Sequence, residues 1–366
     1  MAQISWQNVL ILQTSFLGDA TLTLPLIKEV RRRFPAERLS VLCQPASGEL
    51  LAGHPAIDEI IIEDKKGADR GWRGLQRTAL RLKKRKFSLA LTPHKSLRSA
   101  LILYFAGIPH RVGFRESRGW FLFHQRVKRD PALHDVERNL SVLRAFGLSP
   151  DQCQRSLELP VSEAIQCRVN QKLHALGVRN SDFVVGLSPG SVWPTKRWST
   201  AGFAALIRLL RLKYDCRVLL FGAPEDSSVV EEILRQGEDG VINLVGNIGL
   251  SELAAAISRC RIFVTNDSAP MHIAVARKVP TIALFCATTP DLGFYPYTDD
   301  AIVVEKTLPC RPCGSHGGRR CPLGTEDCIR GITPEAVMAA VVRLENRPRN
   351  RMVRSSEDFQ PECMTL

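Results

Sequence analysis

The stretch VLILQTSFLGDATLTLP, Val9 to Pro25, decides the fold. An apolar run, Val9–Leu12, breaks off at Gln13-Thr14-Ser15, and the chain passes Gly18-Asp19 before an apolar pattern resumes. A short β-rich run, a turn of small residues and a helical restart describe a buried strand feeding a helix. Asp19 is the anomaly, because it is the single carboxylate between Val9 and Ile27. At the start of that helix it reads in two ways. It is either an N-cap carboxylate or a general base at the mouth of a cleft between two domains.

The same rhythm recurs along the chain. Strands are expected at 8–12, 39–43, 59–62, 88–92, 183–187, 217–221, 242–245, 262–265 and 280–285, with helices at 19–34, 97–106, 135–147, 199–213, 226–236, 250–259 and 270–277. Such βα alternation predicts an α/β protein with parallel sheets and helices on both faces. The rhythm lapses over 148–180 and restarts at Phe183. With 366 residues, more than one core is expected. The reading is two doubly wound, Rossmann-like domains, 1–170 and 171–346, followed by a polar tail, 347–366, without periodicity. Ligands are expected at the carboxyl ends of the strands.

Charge is unevenly spread. The chain carries +13, and residues 1–150 hold 25 Lys and Arg against 13 Asp and Glu. The excess of the first half predicts an anionic partner. Residues 1–7 lack a positive signal-type region, and the run 9–27 is broken by Gln13 and Asp19, too polar to span a bilayer. Eleven cysteines, an odd number, speak for a reducing cytoplasm rather than a disulfide scaffold.

Three turns in the second half carry site chemistry. GLSPGSVWPTKRW, Gly186–Trp198, follows a strand and offers Ser188, Gly190, Ser191 and the Lys196-Arg197 pair, a composition suited to phosphate. FGAPED, Phe221–Asp226, places Glu225 to accept ribose hydroxyls. VTNDSAPMHIA, Val264–Ala274, sets Asp267, Ser268 and Ala269 at the start of a helix bearing His272, whose amides suit a pyrophosphate. Each alone is an ordinary capped helix or tight turn; together they predict a nucleotide site. Neither G-x-x-x-x-G-K-[ST] nor G-x-G-x-x-G is present, which argues against P-loop and dinucleotide chemistry. Asp-x-Asp, the usual handle for a metal–nucleotide complex, is absent as well.

TSFLGDATLTLP, SPGSVWPTKRW, VTNDSAPMHIA and CPLGTEDC together resemble the ADP-heptose:lipopolysaccharide heptosyltransferases, glycosyltransferase family 9, and look closer to the heptosyltransferase II branch. The resemblance covers about residues 8–345. It implies the GT-B fold, two Rossmann-like domains facing an interdomain cleft, and inverting transfer of heptose from ADP-heptose to the inner core of a lipid-A-linked oligosaccharide. Carried over by position, Asp19 matches the family's proposed base and Ser15 lies beside it. Lys196 matches a donor phosphate or sugar contact and Glu225 a ribose contact, while Asp267, Ser268, Ala269 and His272 match the donor turn. Phe16 stands where some members carry a second serine. A base in a neutral, partly dry turn would have its pKa pushed upward, which accounts for the lone carboxylate. Lys196 and the 268–272 helix terminus would stabilise the leaving ADP with no cofactor required for catalysis.

Three further features complete the reading. Arg70, Arg73, Arg77, Arg81 and Lys84 form one stripe of a helix, with Trp72, Leu75, Ala79 and Leu82 opposite. This is a solvated helix face that could also meet an acceptor phosphate or an anionic membrane. Lys95 and Arg98 follow a strand end and are expected to touch acceptor phosphates, whereas HDVERN, His134–Asn139, is given a packing role. Cys310, Cys313, Cys321 and Cys328 form C-x2-C-x7-C-x6-C, either a structural zinc site or a set of free thiols. The expected setting is the cytoplasm, at the inner face of the inner membrane. Alternatives are a same-family enzyme acting on another surface glycan and, more remotely, a basic nucleic-acid-binding protein. The last lacks aromatics interleaved on the basic face, so no nucleic acid is expected as a partner.

Overall fold

The opening run forms β1 (Asn8–Gln13), and it pairs in parallel on both sides. The computed structural model describes residues 6–34, 36–236, 240–347 and 360–366. It divides into two units, Met1–Pro160 and Val161–Leu366.

In the N-terminal unit, β1 is followed by α1 (Leu17–Leu22), α2 (Leu24–Arg33), β2 (Arg38–Cys43), α3 (Pro45–Leu51), β3 (Glu59–Ile62) and α4 (Gly71–Lys83). Then come β4 (Leu89–Leu91), α5 (Leu97–Phe105), β5 (His110–Phe114), β6 (Gln125–Val127) and α6 (Asp135–Leu140). The six strands order as β3-β2-β1-β4-β5-β6, all parallel. Register places Ile11 beside both Val41 and Leu91, and all three are fully buried. Helices cover both faces, which is why β1 reads as an unbroken apolar run.

The C-terminal unit repeats the plan. It contains α7 (Glu163–Ala175), β7 (Phe183–Ser188), α8 (Thr200–Lys213), β8 (Cys216–Leu220), α9 (Ser227–Leu234), β9 (Val241–Asn243) and α10 (Leu250–Ile257). It continues with β10 (Ile262–Asn266), α11 (Ala269–Ala276), β11 (Thr281–Phe285), β12 (Ala301–Glu305), α12 (Asp327–Arg330), α13 (Pro334–Glu345) and β13 (Glu362–Thr365). The strand order is β13-β12-β11-β10-β7-β8-β9, again all parallel. Strand order reverses between β1 and β4 in the first sheet and between β7 and β10 in the second. Those two switch points are where an open α/β sheet leaves a crevice for ligand.

Several expectations are corrected. The helix expected over 19–34 starts at Leu17 and is split at Thr23 ahead of Pro25, so Asp19 occupies the third helical position. The chain divides after Pro160 rather than 170, because α7 packs on α10, where Gln166 reaches the Ala255 carbonyl and Ser258. The tail expected to lack structure ends in β13, which extends the sheet beside β12; residues 348–359 lie outside the described residues. Trp72 is half exposed: it sits in the first turn of α4 and packs edge-on against Phe105, while Leu75, Ala79 and Leu82 hold the buried face.

Candidate active site

In the N-terminal unit the candidate residues gather at the switch point. The turn after β1 carries Ser15 and Asp19, and the turn after the neighbouring β4 carries His94, Lys95 and Arg98. The half-buried Asp19 does cap its helix, through Oδ2 accepting from the Phe16 backbone N–H at 3.0 Å. Placement at the third helical position puts the carboxylate against the amide end of α1, a setting that favours negative charge. Ser15 Oγ donates to Gln13 Oε1 at 2.7 Å, while Gln13 Nε2 donates to Thr23 Oγ1 at 3.1 Å. The turn is therefore stitched from both sides.

Two residues not singled out by sequence join it. Lys65 Nζ donates to the Thr14 carbonyl. Burial pulls the Lys65 ammonium below its usual value, and among the charges acting on it Asp19 pulls the other way. His94 Nδ1 lies 2.8 Å from Ser99 Oγ and 3.3 Å from Thr14 Oγ1. Burial, with help from Lys65 and Lys95, lowers its pKa to about 4, so the ring is neutral in ordinary buffers. Lys95 is likewise depressed by burial, then by Arg129. Only the lone position of His94 in TPHKS, beside the chosen Lys95, signalled it. Lys65, in EDKKG, gave no signal.

Arg98 departs from its expected role. Its Nε donates to Glu63 Oε1 at 2.6 Å, and its two terminal nitrogens donate to the carbonyls of Gly71 and Asp69. With every nitrogen engaged, Arg98 braces the loop ahead of α4 and neutralises the fully buried Glu63. The arginine stripe of α4 is also partly spent, since Arg81 bonds Asp69 at 2.9 Å and Arg77 lies 3.9 Å from it. HDVERN packs as expected: His134 caps α6, and Asn139 Nδ2 donates to the Leu22 carbonyl at 3.2 Å.

In the C-terminal unit, the three motif turns follow β10, β7 and β8, which are adjacent strands. Lys196 Nζ lies 2.6 Å from Asp267 Oδ2, and Thr288 Oγ1 donates to the same oxygen at 2.7 Å. Asn266 fastens the two turns together, Nδ2 donating to the Pro189 carbonyl at 2.7 Å and Oδ1 accepting from the Trp198 N–H at 2.9 Å. Ser268 is the N-cap of α11, but its hydroxyl turns to the Asn266 carbonyl and no side chain caps the helix amides. His272 is buried, its pKa lowered to about 4 chiefly by desolvation, and its Nδ1 has no hydrogen-bond partner among the described residues. Ala269 opens α11 beside it.

Ser188 and Gly190 are buried at the end of β7, and the Ser191 carbonyl accepts from Arg197 Nε at 2.8 Å. A Cβ on Gly190 would lie 2.2 Å from the Asp226 carboxylate, so the position requires glycine. Glu225 is exposed in the neighbouring turn, whereas Asp226, which the sequence did not single out, is the buried member, 3.7 Å from Arg197.

The four cysteines lie near enough for their thiols to act on one another's ionisation, yet they do not close around a common point. Among the described residues no three His, Cys, Asp or Glu side chains come together to hold an ion. Cys310 is exposed, while Cys328, on α12, is buried in the core. As placed, the residues do not fit the expected zinc. The loop does touch the site: Thr195 Oγ1 donates to the Gly318 carbonyl at 3.0 Å and accepts from the Gly318 N–H at 2.8 Å.

Comparison with known proteins identifies the family and the fold. The family model described as glycosyltransferase family 9 (heptosyltransferase) matches residues 75–321. Lipooligosaccharide heptosyltransferase 2 of Haemophilus influenzae is 30% identical, over 81% of this chain and 88% of its own length. A family 9 glycosyl transferase from Veillonella parvula superposes with a TM-score of 0.82 at 25% identity, covering 93% of this chain and 98% of its own. The E. coli ADP-heptose lipopolysaccharide heptosyltransferase II shares the fold, with a TM-score of 0.76 at 24% identity and coverage of 93% and 98%. A chain with two doubly wound units, the Asp19 turn on one and the Lys196–Asp267 turns on the other, thus belongs to glycosyltransferase family 9, the heptosyltransferases.

Proposed function

We propose that the protein is an inverting heptosyltransferase that moves heptose from ADP-heptose to the inner core of a lipid-A-linked oligosaccharide. The observation that carries this is the sorting of chemistry between units. The N-terminal switch point holds the Asp19 carboxylate with neutral His94 and the partly buried Lys65 nearby, and the C-terminal one holds a cation beside an uncapped helix start. In this reading Asp19 takes the proton of the acceptor hydroxyl as its oxygen bonds to the anomeric carbon. The bond from that carbon to the diphosphate oxygen breaks, and ADP leaves with the electron pair. Lys196 has three N–H donors and Asp267 uses one, so the others remain to meet phosphate. The α11 amides add fixed positive potential. Exposed Glu225 is assigned to the ribose and neutral His272 to orienting the donor. Ser15 and Lys95 are assigned to the acceptor.

Support for the donor and acceptor classes comes from the names of the relatives. We place the reaction at the cytoplasmic face of the inner membrane, because the acceptor is lipid-linked. No helix of the described residues is long and apolar enough to cross a membrane, so the contact would be peripheral. A turnover assay with ADP-heptose and a panel of defined truncated cores tests the assignment. Transfer to one core and not to others supports it. Transfer only to an unrelated surface glycan would select the same-family alternative.

A further inference from the structure

The outward face of α5 is apolar. Leu97, Tyr104 and Phe105 fall at i, i+7 and i+8, an exposed stripe beside the partly buried Leu101 on a helix whose inner side, Ala100 and Leu103, is fully buried. A surface helix normally turns polar residues outward, so this stripe has no folding reason to be aromatic. Neighbouring elements extend it. Trp72 of α4 meets Phe105 edge-on at 5.5 Å, and Tyr104 meets Phe105 at 5.5 Å. Trp120 and Phe121 project from the short turn that packs on α5 at Gly119, where a Cβ would strike Ala100. The five aromatics are each 43–57% exposed and fall into two groups that both border α5, the kind of exposed apolar surface that marks an interaction site.

Cations frame the plate. The Arg111 guanidinium lies over Tyr104 at 5.5 Å and donates to the Leu122 carbonyl, tying α5 to the turn; Arg126 lies over Trp120 at 4.9 Å. Residues 70–129 contain sixteen Lys and Arg and one acid, Glu116. Some of these cations are spent on Glu59, Glu63, Asp69 and Asp135, but Arg73, Arg115, Arg118 and Lys128 have no carboxylate within ion-pair distance among the described residues. Half-exposed rings gathered around α5, with arginines at their border rather than alternating with them along the basic helix, match one occupant by both polarity and charge. That occupant is a bilayer whose headgroups are anionic.

We propose that the Trp72–Tyr104–Phe105–Trp120–Phe121 plate is a docking surface for an anionic lipid bilayer. It rests on the lipid-linked acceptor of the preceding section and says where the chain meets that lipid. α5 makes the arrangement useful: its first turn carries Arg98 and Ser99 beside His94, and it is about 13 Å long. A membrane touching its outer face thus lies within about one helix length of the Asp19 cluster. This places the docking plate close to where a lipid-held sugar must be presented.

The test uses the full chain with vesicles of phosphatidylcholine, with or without phosphatidylglycerol. The wild type is expected to sediment with the anionic vesicles only, with a blue-shifted tryptophan emission that the conservative pair Trp72→Phe and Trp120→Phe removes. Replacing Tyr104, Phe105 and Phe121 by Ser should weaken vesicle binding roughly tenfold or more. It should leave transfer to a lipid-free acceptor unchanged, because no site residue is altered. Absence of wild-type binding, or binding that survives the Ser variant, would overturn the proposal. So would a Ser variant that changes the oligomeric state instead, which would mean that a second copy covers the plate. Vesicle binding needs no turnover, so its failure is distinguishable from failure of the heptosyl-transfer reading.

Discussion

Lys196 and Asp267 form a close ion pair, 2.6 Å from nitrogen to oxygen, that joins the turn after β7 to the turn after β10. Both side chains are largely shielded, so removing one strands the other charge. Lys196→Ala should lower stability by about 2–3 kcal/mol and weaken ADP-heptose binding by roughly tenfold or more. Adding Asp267→Asn should restore much of the stability and none of the donor affinity. Paired unfolding and calorimetry measure the two effects separately, and recovery of affinity in the double variant would remove Lys196 from the donor site.

Arg98 gives a contrasting prediction. Because its guanidinium answers buried Glu63 and two backbone carbonyls, Arg98→Gln should cost about 3 kcal/mol of stability. Acceptor KM should scarcely change in the folded enzyme. A large rise in KM with unaltered stability would restore Arg98 to the acceptor site.

Two histidines set an acid limit. Burial holds both His94 and His272 down to about 4, from an ordinary 6.5. Unfolding frees each to take up a proton between those values, so the stability due to neutral imidazole is present above pH 6.5 and lost as pH falls toward 4. Melting temperature should decline over that window, and His272→Asn should flatten the decline. An unchanged slope would mean that the ring is solvated.

The cysteine loop is predicted to hold accessible thiols. Backbone N–H groups of Glu326, Leu323, Gly324 and Thr325 face the Cys321 sulfur and draw its pKa down, whereas burial pushes Cys328 up to about 11. Cys321 should therefore alkylate first and Cys328 only on unfolding. If all four resist alkylation until a chelator is added, the loop binds metal after all.

What the sequence displayed follows from physics that acts locally. Gly18-Asp19, Ser188–Ser191 and Asp267-Ser268 punctuate apolar runs, so the turns at strand ends were legible before their neighbours were known. Adjacency was not legible: only pairing shows that the turns after β10, β7 and β8 lie side by side. Strands β5 and β6 were missed because HRVGF and QRV mix charge into short segments. The strand β13 follows a polar stretch that gives no periodic signal. Roles fixed by a distant partner escaped as well. Arg98 looked like a free cation until Glu63, 35 positions away, was seen beneath it, and Asp226 gained its meaning from the bare Cα of Gly190.

The account turns on Asp19. Its carboxylate both caps α1 through the Phe16 N–H and is assigned the acceptor's proton, and Asn preserves the first role while removing the second. Single-turnover transfer from ADP-heptose by Asp19→Asn, with fold and donor affinity checked in parallel, is the most direct measurement. The account predicts intact folding and donor binding with transfer slowed by roughly a hundredfold or more. Transfer at the wild-type rate would contradict it and leave Asp19 a helix cap alone.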